Sequence, residues 1–388
     1  FPSGVTSDQP TVINYTVSGG TAIAGTDYTG LTSGSVTIAA GANSVVLSLP
    51  VVDDAIVEDD ETIFLTTGTV SSTYGYTLSN TIQALTILDN DQATITLSGP
   101  VTLAEGDAGT VNATFNIALS KATTSPFTLG YSSADGTALV ADNDYIPVNN
   151  VLSFDGTSPQ TQTVTVAVNG DKKIEANEAF LFKLFNLSDS FNNRLTLAVA
   201  EVSTTITNDD AGNISITKFN GAEGVQGGSY VLSFPAGVTA DVPVTVNYNL
   251  TGTSQGGGID YSGAIWGTIT INAEESTAVL NLPVIDDALI EDTETITFTA
   301  GAVSSPYGTT ISTLPQEITI ADNDNGTLSI SPVAVLEGST GTTTATFQVT
   351  LNKAAGKDFI VNFTTLHGTA SDSDNDFTAQ SGTLTFNA

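Results

Sequence analysis

Short runs in which apolar and polar residues alternate, each closed by Gly, Pro, Asn or Asp, fill this chain. Val45-Val46-Leu47-Ser48-Leu49, Thr163-Val164-Thr165-Val166-Ala167-Val168 and Ala278-Val279-Leu280-Asn281-Leu282 are apolar-rich and bounded by turn formers, which predicts strands. Turn clusters recur roughly every 8–12 residues, the spacing of a β-sandwich. No segment carries the apolar period of a helix longer than one turn. Pro50 and Pro283 stand at matching places late in two of these runs, where a residue without an N–H suits a sheet edge or a strand end. The pattern predicts an all-β chain.

The pattern also repeats. GTAIAGTDY ends at Tyr28, GTALVADNDY at Tyr145, GTSQGGGIDY at Tyr261 and GTASDSDNDF at Phe377, so that Asp27, Asp144, Asp260 and Asp376 follow at intervals of 117, 116 and 116 residues. An acidic motif recurs at 51–61 (VVDDAIVEDDE), 168–178 (VNGDKKIEANE) and 284–294 (VIDDALIEDTE). Units close on Asp89-Asn90-Asp91, Asn208-Asp209-Asp210 and Asp322-Asn323-Asp324, and open on Glu105-Gly106, Glu223-Gly224 and Glu337-Gly338. Four motifs in one order at one period define an internal repeat. The units read as 1–91, 92–210, 211–324 and 325–388, with the middle two complete. A second period of 232 to 233 residues lies above the first. Units one and three share SLPVVDDAIVEDDET and NLPVIDDALIEDTET, whereas units two and four share ATFNIALSKA and ATFQVTLNKA. The array alternates A-B-A-B, and a unit of about 115 residues suits one seven-stranded sandwich.

Charge narrows the function. Eight Lys and Arg face 41 Asp and Glu for a net charge of −33, yet 40% of residues are hydrophobic, enough for packed cores. Such a chain repels nucleic acid and anionic lipid, and its natural small partner is a cation. With no cysteine, disulfides, thiolate metal sites and a cysteine nucleophile are excluded. One histidine, His367, cannot supply a triad that recurs with the repeats, and it reads as a strand-end surface residue. The single tryptophan, Trp266, reads as core or edge packing. No apolar run reaches the length of a membrane span and no signal peptide opens the chain, which reads as a segment of something longer.

Unit three holds the full acidic set: Glu223, Asp260, Asp286, Asp287, Glu291, Glu294, Asp322 and Asp324, with no Lys or Arg among them. Sandwich loops gather at two tips, so these motifs can meet at one. Each pair about 6 Å apart would repel by roughly 3 kcal/mol at an effective dielectric near 20. Six to eight hard oxygen ligands are what calcium takes. Turn capping by Asp and Asn accounts for one or two acids per loop, not for one set recurring at a fixed period. Asp372, Asp374 and Asp376 alternate as in an EF-hand, but Phe377 and Leu384 occupy the positions of its Gly and Glu. That segment reads as a longer form of the same loop.

The order Glu-Gly, then GTA…DY, then DD…E..E, then DND resembles the Calx-beta motif of sodium/calcium exchangers and many bacterial surface proteins, over the whole chain. The resemblance implies a tandem array of Ig-like seven-stranded β-sandwiches in an elongated rod, each binding several calcium ions (Ca2+) at the tip beside the next linker. Carried over residue by residue, it adds Asp27, Asp53, Asp54, Glu58, Glu61, Asp89 and Asp91 in unit one. Unit two offers Glu105, Asp144, Asp171, Glu175, Glu178, Asp209 and Asp210, but Gly170 replaces one Asp, Asn208 another acid, and Lys172 and Lys173 intrude. Fewer or weaker ions are expected there.

The expected role is a calcium-rigidified stalk segment of a large extracellular adhesin, of the gliding or biofilm type in bacteria, with no catalytic residues. Its partners would be calcium, neighbouring repeats of the same chain, and other surface proteins or glycans. A calcium-sensing array of a membrane transporter or receptor is the alternative. A glycan-binding module lacks a repeated aromatic patch, and a cadherin-like array lacks the Pro-x-Phe that follows its DND.

Overall fold

Strand formation follows the alternation of side chains. In β7 (Gly109–Leu119) Ala113, Phe115, Ile117 and Leu119 are buried while the residues between them face outward, as a two-residue period demands. The computed structural model describes residues 1–30, 32–79, 81–156 and 160–388. Contacts divide these into two compact units, 1–171 with 177–208 and 172–176 with 209–388.

In the first unit, repeat 1 carries β1 (Thr11–Gly19), β2 (Ser33–Ile38), β3 (Glu61–Ser71) and β4 (Ile82–Ile87) in one sheet, ordered β2-β1-β3-β4. Repeat 2 adds β5 (Ala93–Ser98), β6 (Thr102–Ala104), β7, β8 (Phe127–Asp135), β9 (Asn149–Phe154), β10 (Thr161–Gly170), β12 (Glu178–Ser188), β13 (Leu195–Leu197) and β14 (Glu201–Thr207). The two-residue β11 (Lys173–Ile174) falls in the second unit. One sheet runs β10-β7-β5-β13 and the other β6-β14-β12-β8-β9. Seven of these strands exceed three residues, the number the repeat length predicts. The sheets meet face to face: Phe115 of β7 stacks on Phe182 of β12 with ring centroids 4.2 Å apart. A buried phenylalanine contributes about 1.5–3 kcal/mol.

The second unit repeats the plan. Repeat 3 comprises β15 (Asn213–Phe219), β16 (Gly221–Ala222), β17 (Gly228–Ser233), β18 (Thr239–Ala240), β19 (Val244–Gly252), β20 (Trp266–Ile271), β21 (Thr277–Leu282), β22 (Glu294–Ser304), β23 (Thr310–Ile311) and β24 (Gln316–Ala321). Its sheets are β21-β17-β15-β23 and β16-β24-β22-β19-β20. Tyr230, Leu232, Val246 and Phe298 fill the space between them. Pro283 directly follows edge strand β21, as expected, and Trp266 heads edge strand β20, exposed rather than in the core. Repeat 4 shows β25 (Leu328–Ile330) paired with β26 (Val349–Leu351) and β27 (Phe359–Thr364) with β28 (Ser381–Phe386). His367 lies just past β27, with its Nε2 3.1 Å from Asp372 Oδ1. Among the described residues the only helical segment is a 3-10 turn at Val140–Asp142.

One expectation fails. Val45–Leu49 forms no strand, whereas its counterparts β10 and β21 do. Those strands hydrogen-bond to β7 and β17, whereas Val45–Leu49 has no strand partner among the described residues. Propensity without a partner leaves the backbone groups unpaired, so the run stays irregular.

Each acidic motif also hands one apolar residue to the repeat that follows. Val57 is fully buried within the core of repeat 2. Its N–H donates to Ala122 O at 3.0 Å, and its carbonyl accepts from Thr124 at 3.0 Å. Ile290 does the same with Ala354 (3.0 Å) and Gly356 (2.8 Å) of repeat 4. Within the second unit, Ile174 on segment 172–176 is fully buried in the core of repeat 3, and Asp241 N–H donates to its carbonyl at 3.2 Å.

Candidate metal centre

A buried tyrosine fixes one ligand candidate in each of repeats 1 to 3. Tyr28, Tyr145 and Tyr261 lie in their cores and bridge to Val51, Val168 and Val284, the residues that begin the acidic motifs. The aspartate before each tyrosine is thereby held beside that motif. The carbonyls of Asp27, Asp144 and Asp260 accept from Val52, Asn169 and Ile285, each at 2.9 Å. Their Oδ2 atoms accept from the N–H groups of Ile23 (2.5 Å), Leu139 (2.6 Å) and Gln255. Ser371 donates to Asp376 Oδ2 at 2.9 Å, so the segment with alternating aspartates is the same loop in repeat 4.

Part of the acidic set does the work of turns. Asp54 Oδ1 accepts from Ile56 N–H (2.8 Å), and Asp287 Oδ1 from Leu289 N–H (2.7 Å). Asp89 takes the N–H of Glu58 (3.0 Å) on one oxygen and that of Asp91 (3.0 Å) on the other. Asp322 does likewise with Glu291 (2.8 Å) and Asp324 (2.7 Å). Capping thus explains these aspartates. It does not explain the glutamates.

Those glutamates complete the clusters. In repeat 3, Glu223, Asp287 and Asp324 bring oxygens within 4.8 Å of one another, and so do Asp260, Glu291 and Glu294. The two triads adjoin. Burial, then Asp322, Asp287, Glu291 and Asp286, push the Glu223 carboxyl up to about 7. Burial, then Asp260, Asp287 and Asp322, raise Glu291, and burial with a hydrogen bond to Asp260 raises Glu294 to about 7. All eight candidates of this repeat therefore share one tip. In repeat 1, Asp27, Glu58 and Glu61 bring oxygens within the same 4.8 Å. Burial, then Asp27, Asp54, Asp89 and Asp91, lift Glu58 to about 7, and burial with Asp27 lifts Glu61 equally. Asp53 stands at the margin, where Asn90 Nδ2 reaches its Oδ1 at 3.4 Å.

The donor set fits a hard divalent cation. It is all oxygen, and Glu61 Oε2, Glu223 Oε2 and Asp324 Oδ2 are buried with no hydrogen-bond donor. A buried carboxylate oxygen without a partner is costly, and a cation relieves it. Gly224 permits the approach. Its φ is +62°, and a Cβ there would lie 2.6 Å from Asn323 Nδ2 and 2.9 Å from Asp286 Oδ1.

Repeat 2 departs from this arrangement for a steric reason. Strand β10 runs on through Gly170, which pairs with Gly109. A Cβ on Gly170 would sit 2.0 Å from Gly106 O and 2.6 Å from Glu105 O. The position that is Asp53 in repeat 1 has no room for a side chain here. Asp144 and Glu178 still bring oxygens within 4.8 Å, Glu105 is buried, and Asp171 is exposed beside Gly170. Glu175, Asp209 and Asp210 fall in the second unit, where Lys173 Nζ stands 3.6 Å from Glu175.

Sequence reasoning missed two kinds of residue. The central asparagine of the closing triplet is a crosslink: Asn323 Nδ2 donates to Glu223 O at 2.9 Å and to Asp286 Oδ1 at 2.8 Å. The second kind corrects the reading that no cation lies among the acids, because the next repeat supplies them. Lys353 pairs with Asp324, Lys121 with Asp91 at 2.6 Å, and Arg194 with Asp60 at 2.5 Å and Asp89 at 3.5 Å. The signal was present, since Lys121 and Lys353 recur in the strings shared by units two and four.

The Calx-beta domain model matches residues 3–91, 88–211, 231–324 and 321–388. The chain belongs to the Calx-beta family. Among solved structures, this Calx-beta array is similar to CBD12 from CALX1.2, at 19% identity over 59% of this chain and 99% of that one, with a TM-score of 0.26. It is also similar to the apo-form Calx CBD1 domain, at 24% identity over 30% of this chain and 98% of that one, TM-score 0.26. No curated protein matches it.

Proposed function

We propose that this Calx-beta array is a calcium-binding structural segment of a large, repetitive, extracellular surface protein of adhesin type, in which the acidic tips fix each repeat against the next. One observation carries the reading: the ligand candidates and the apolar residue hydrogen-bonded to the following repeat share a turn. Val57 precedes Glu58, and Ile290 precedes Glu291. Whatever holds these glutamates in place holds the junction.

Asp27, Glu58 and Glu61 in repeat 1, and the two triads of repeat 3, would hold the ions. Bound calcium would supply the positive charge that their mutual repulsion calls for. Glu58 and Glu291 then orient the turn, while Val57 and Ile290 transmit that order across the junction. The millimolar calcium outside cells suits sites of this class, and binding only to assembled tips stabilises the fold by mass action. Calorimetry and small-angle scattering of the full chain, with calcium and then with chelator, test the proposal. Calcium should raise the melting temperature and narrow the range of interdomain angles. Identical behaviour under both conditions would overturn it.

A further inference from the structure

Among the described residues, four of the eight Lys and Arg side chains, Lys121, Arg194, Lys353 and Lys357, pair with acids of the preceding repeat. All four belong to type B repeats and reach back to a type A repeat. Lys121 and Lys353 are equivalent: each stands two residues before the bridge partner of the incoming apolar residue, Thr123 for Val57 and Ala355 for Ile290. The same register puts Val238 at that place in type A repeat 3, two residues before Ala240, the partner of Ile174. The lysine is therefore a feature of A-to-B junctions.

Its target is a ligand candidate. Asp324 lies in the triad with Glu223 and Asp287, and its side chain is only 5% exposed. Lys353 occupies its Oδ1, while its Oδ2 is buried without a donor. Lys121 likewise holds Asp91 Oδ1 at 2.6 Å, beside Glu58, whose carboxyl feels Asp91. An ammonium thus sits on an oxygen that a divalent ion would use.

We propose that Lys121 and Lys353 are resident counter-cations of the type A sites, donated by the following repeat, and that they set how tightly those sites hold a divalent ion. The inference rests on the calcium reading and deepens it. An ion entering the cluster either displaces the ammonium from the closing aspartate or does without that oxygen. Without the ion, the lysine offsets part of the repulsion among the acids. Lysine and metal therefore compete for one carboxylate, and the competitor is supplied where a type B repeat follows a type A repeat.

The test is Lys121→Met with Lys353→Met in the full chain, read by calcium titration calorimetry after chelation and by ion-free thermal melting. The expected result has opposite signs: calcium affinity rises about tenfold or more, as loss of a nearby like charge requires, while the ion-free melting temperature falls. Lys→Arg at both positions should stay close to wild type. Lower stability with unchanged affinity would make the lysines structural only and overturn the proposal. Wild-type protein that takes up no calcium would overturn the calcium reading itself. Should the double variant not fold, Lys353→Met alone is read in the same way.

Discussion

Val57 and Glu58 are neighbours in sequence whose N–H groups bond to different repeats. That of Val57 donates to Ala122 O in repeat 2 at 3.0 Å, and that of Glu58 to Asp89 Oδ2 in repeat 1 at 3.0 Å. Ile290 and Glu291 reproduce the relationship at Ala354 O and Asp322 Oδ2, at 3.0 and 2.8 Å. Candidate ion site and junction are one structural element.

Shortening the buried residue of that element should weaken the repeat that receives it. Val57→Ala is expected to cost on the order of 2 kcal/mol, the loss of two buried methyls plus the cavity they leave. Ile174→Ala, at a fully buried site, should cost about 2–5 kcal/mol. Thermal melts of the full chain check both, and a wild-type melting temperature would show that the side chains carry no load.

Neutralising one ligand should move ion-free stability and calcium affinity in opposite directions. Glu223→Gln removes a charge from a cluster in which Asp322, Asp287, Glu291 and Asp286 all disfavour its ionisation. The variant should melt higher than wild type in chelator and bind calcium at least about tenfold more weakly, because ligand charge sets affinity in such sites. Calorimetry with melting in chelator reads both signs.

Ion-free stability should fall as pH rises through neutrality. Glu58, Glu61, Glu223 and Glu294 are raised from an ordinary 4.5 to about 7. Between these values the folded chain binds more protons than the unfolded one, so the stability present below about 4.5 is lost progressively up to about 7. In chelator the melting temperature should be higher at pH 5 than at pH 8. Calcium, which needs these carboxyls ionised, should release protons at pH 6, measurable by titration in buffers of different ionisation enthalpy.

Restoring the missing acid in repeat 2 should not restore a site. Gly170→Asp brings a Cβ to within 2.0 Å of Gly106 O, a clash with backbone rather than with a movable side-chain end. The expected outcome is a loss of about 1–3 kcal/mol or more with no added calcium stoichiometry. A stable variant that binds one more ion would refute this account of the glycine.

The sequence by itself determined the all-β class, the A-B-A-B period and which acids of repeats 1 and 3 are ligand candidates. These are local properties: side chains alternate at a period of two in any strand, and carboxylates announce their chemistry wherever the fold takes them. Tertiary structure alone decided what depends on a spatial partner. Val45–Leu49 has strand composition but no strand partner among the described residues, and it is irregular. Gly170 reads as a lost ligand until the backbone of Glu105 and Gly106 is seen to fill its space. Val57 looks like one more residue of an acidic loop until the core of repeat 2 closes over it. Charge balance belongs to the same class, because a field adds over neighbours in space, and Lys121 and Lys353 reach Asp91 and Asp324 from across a junction.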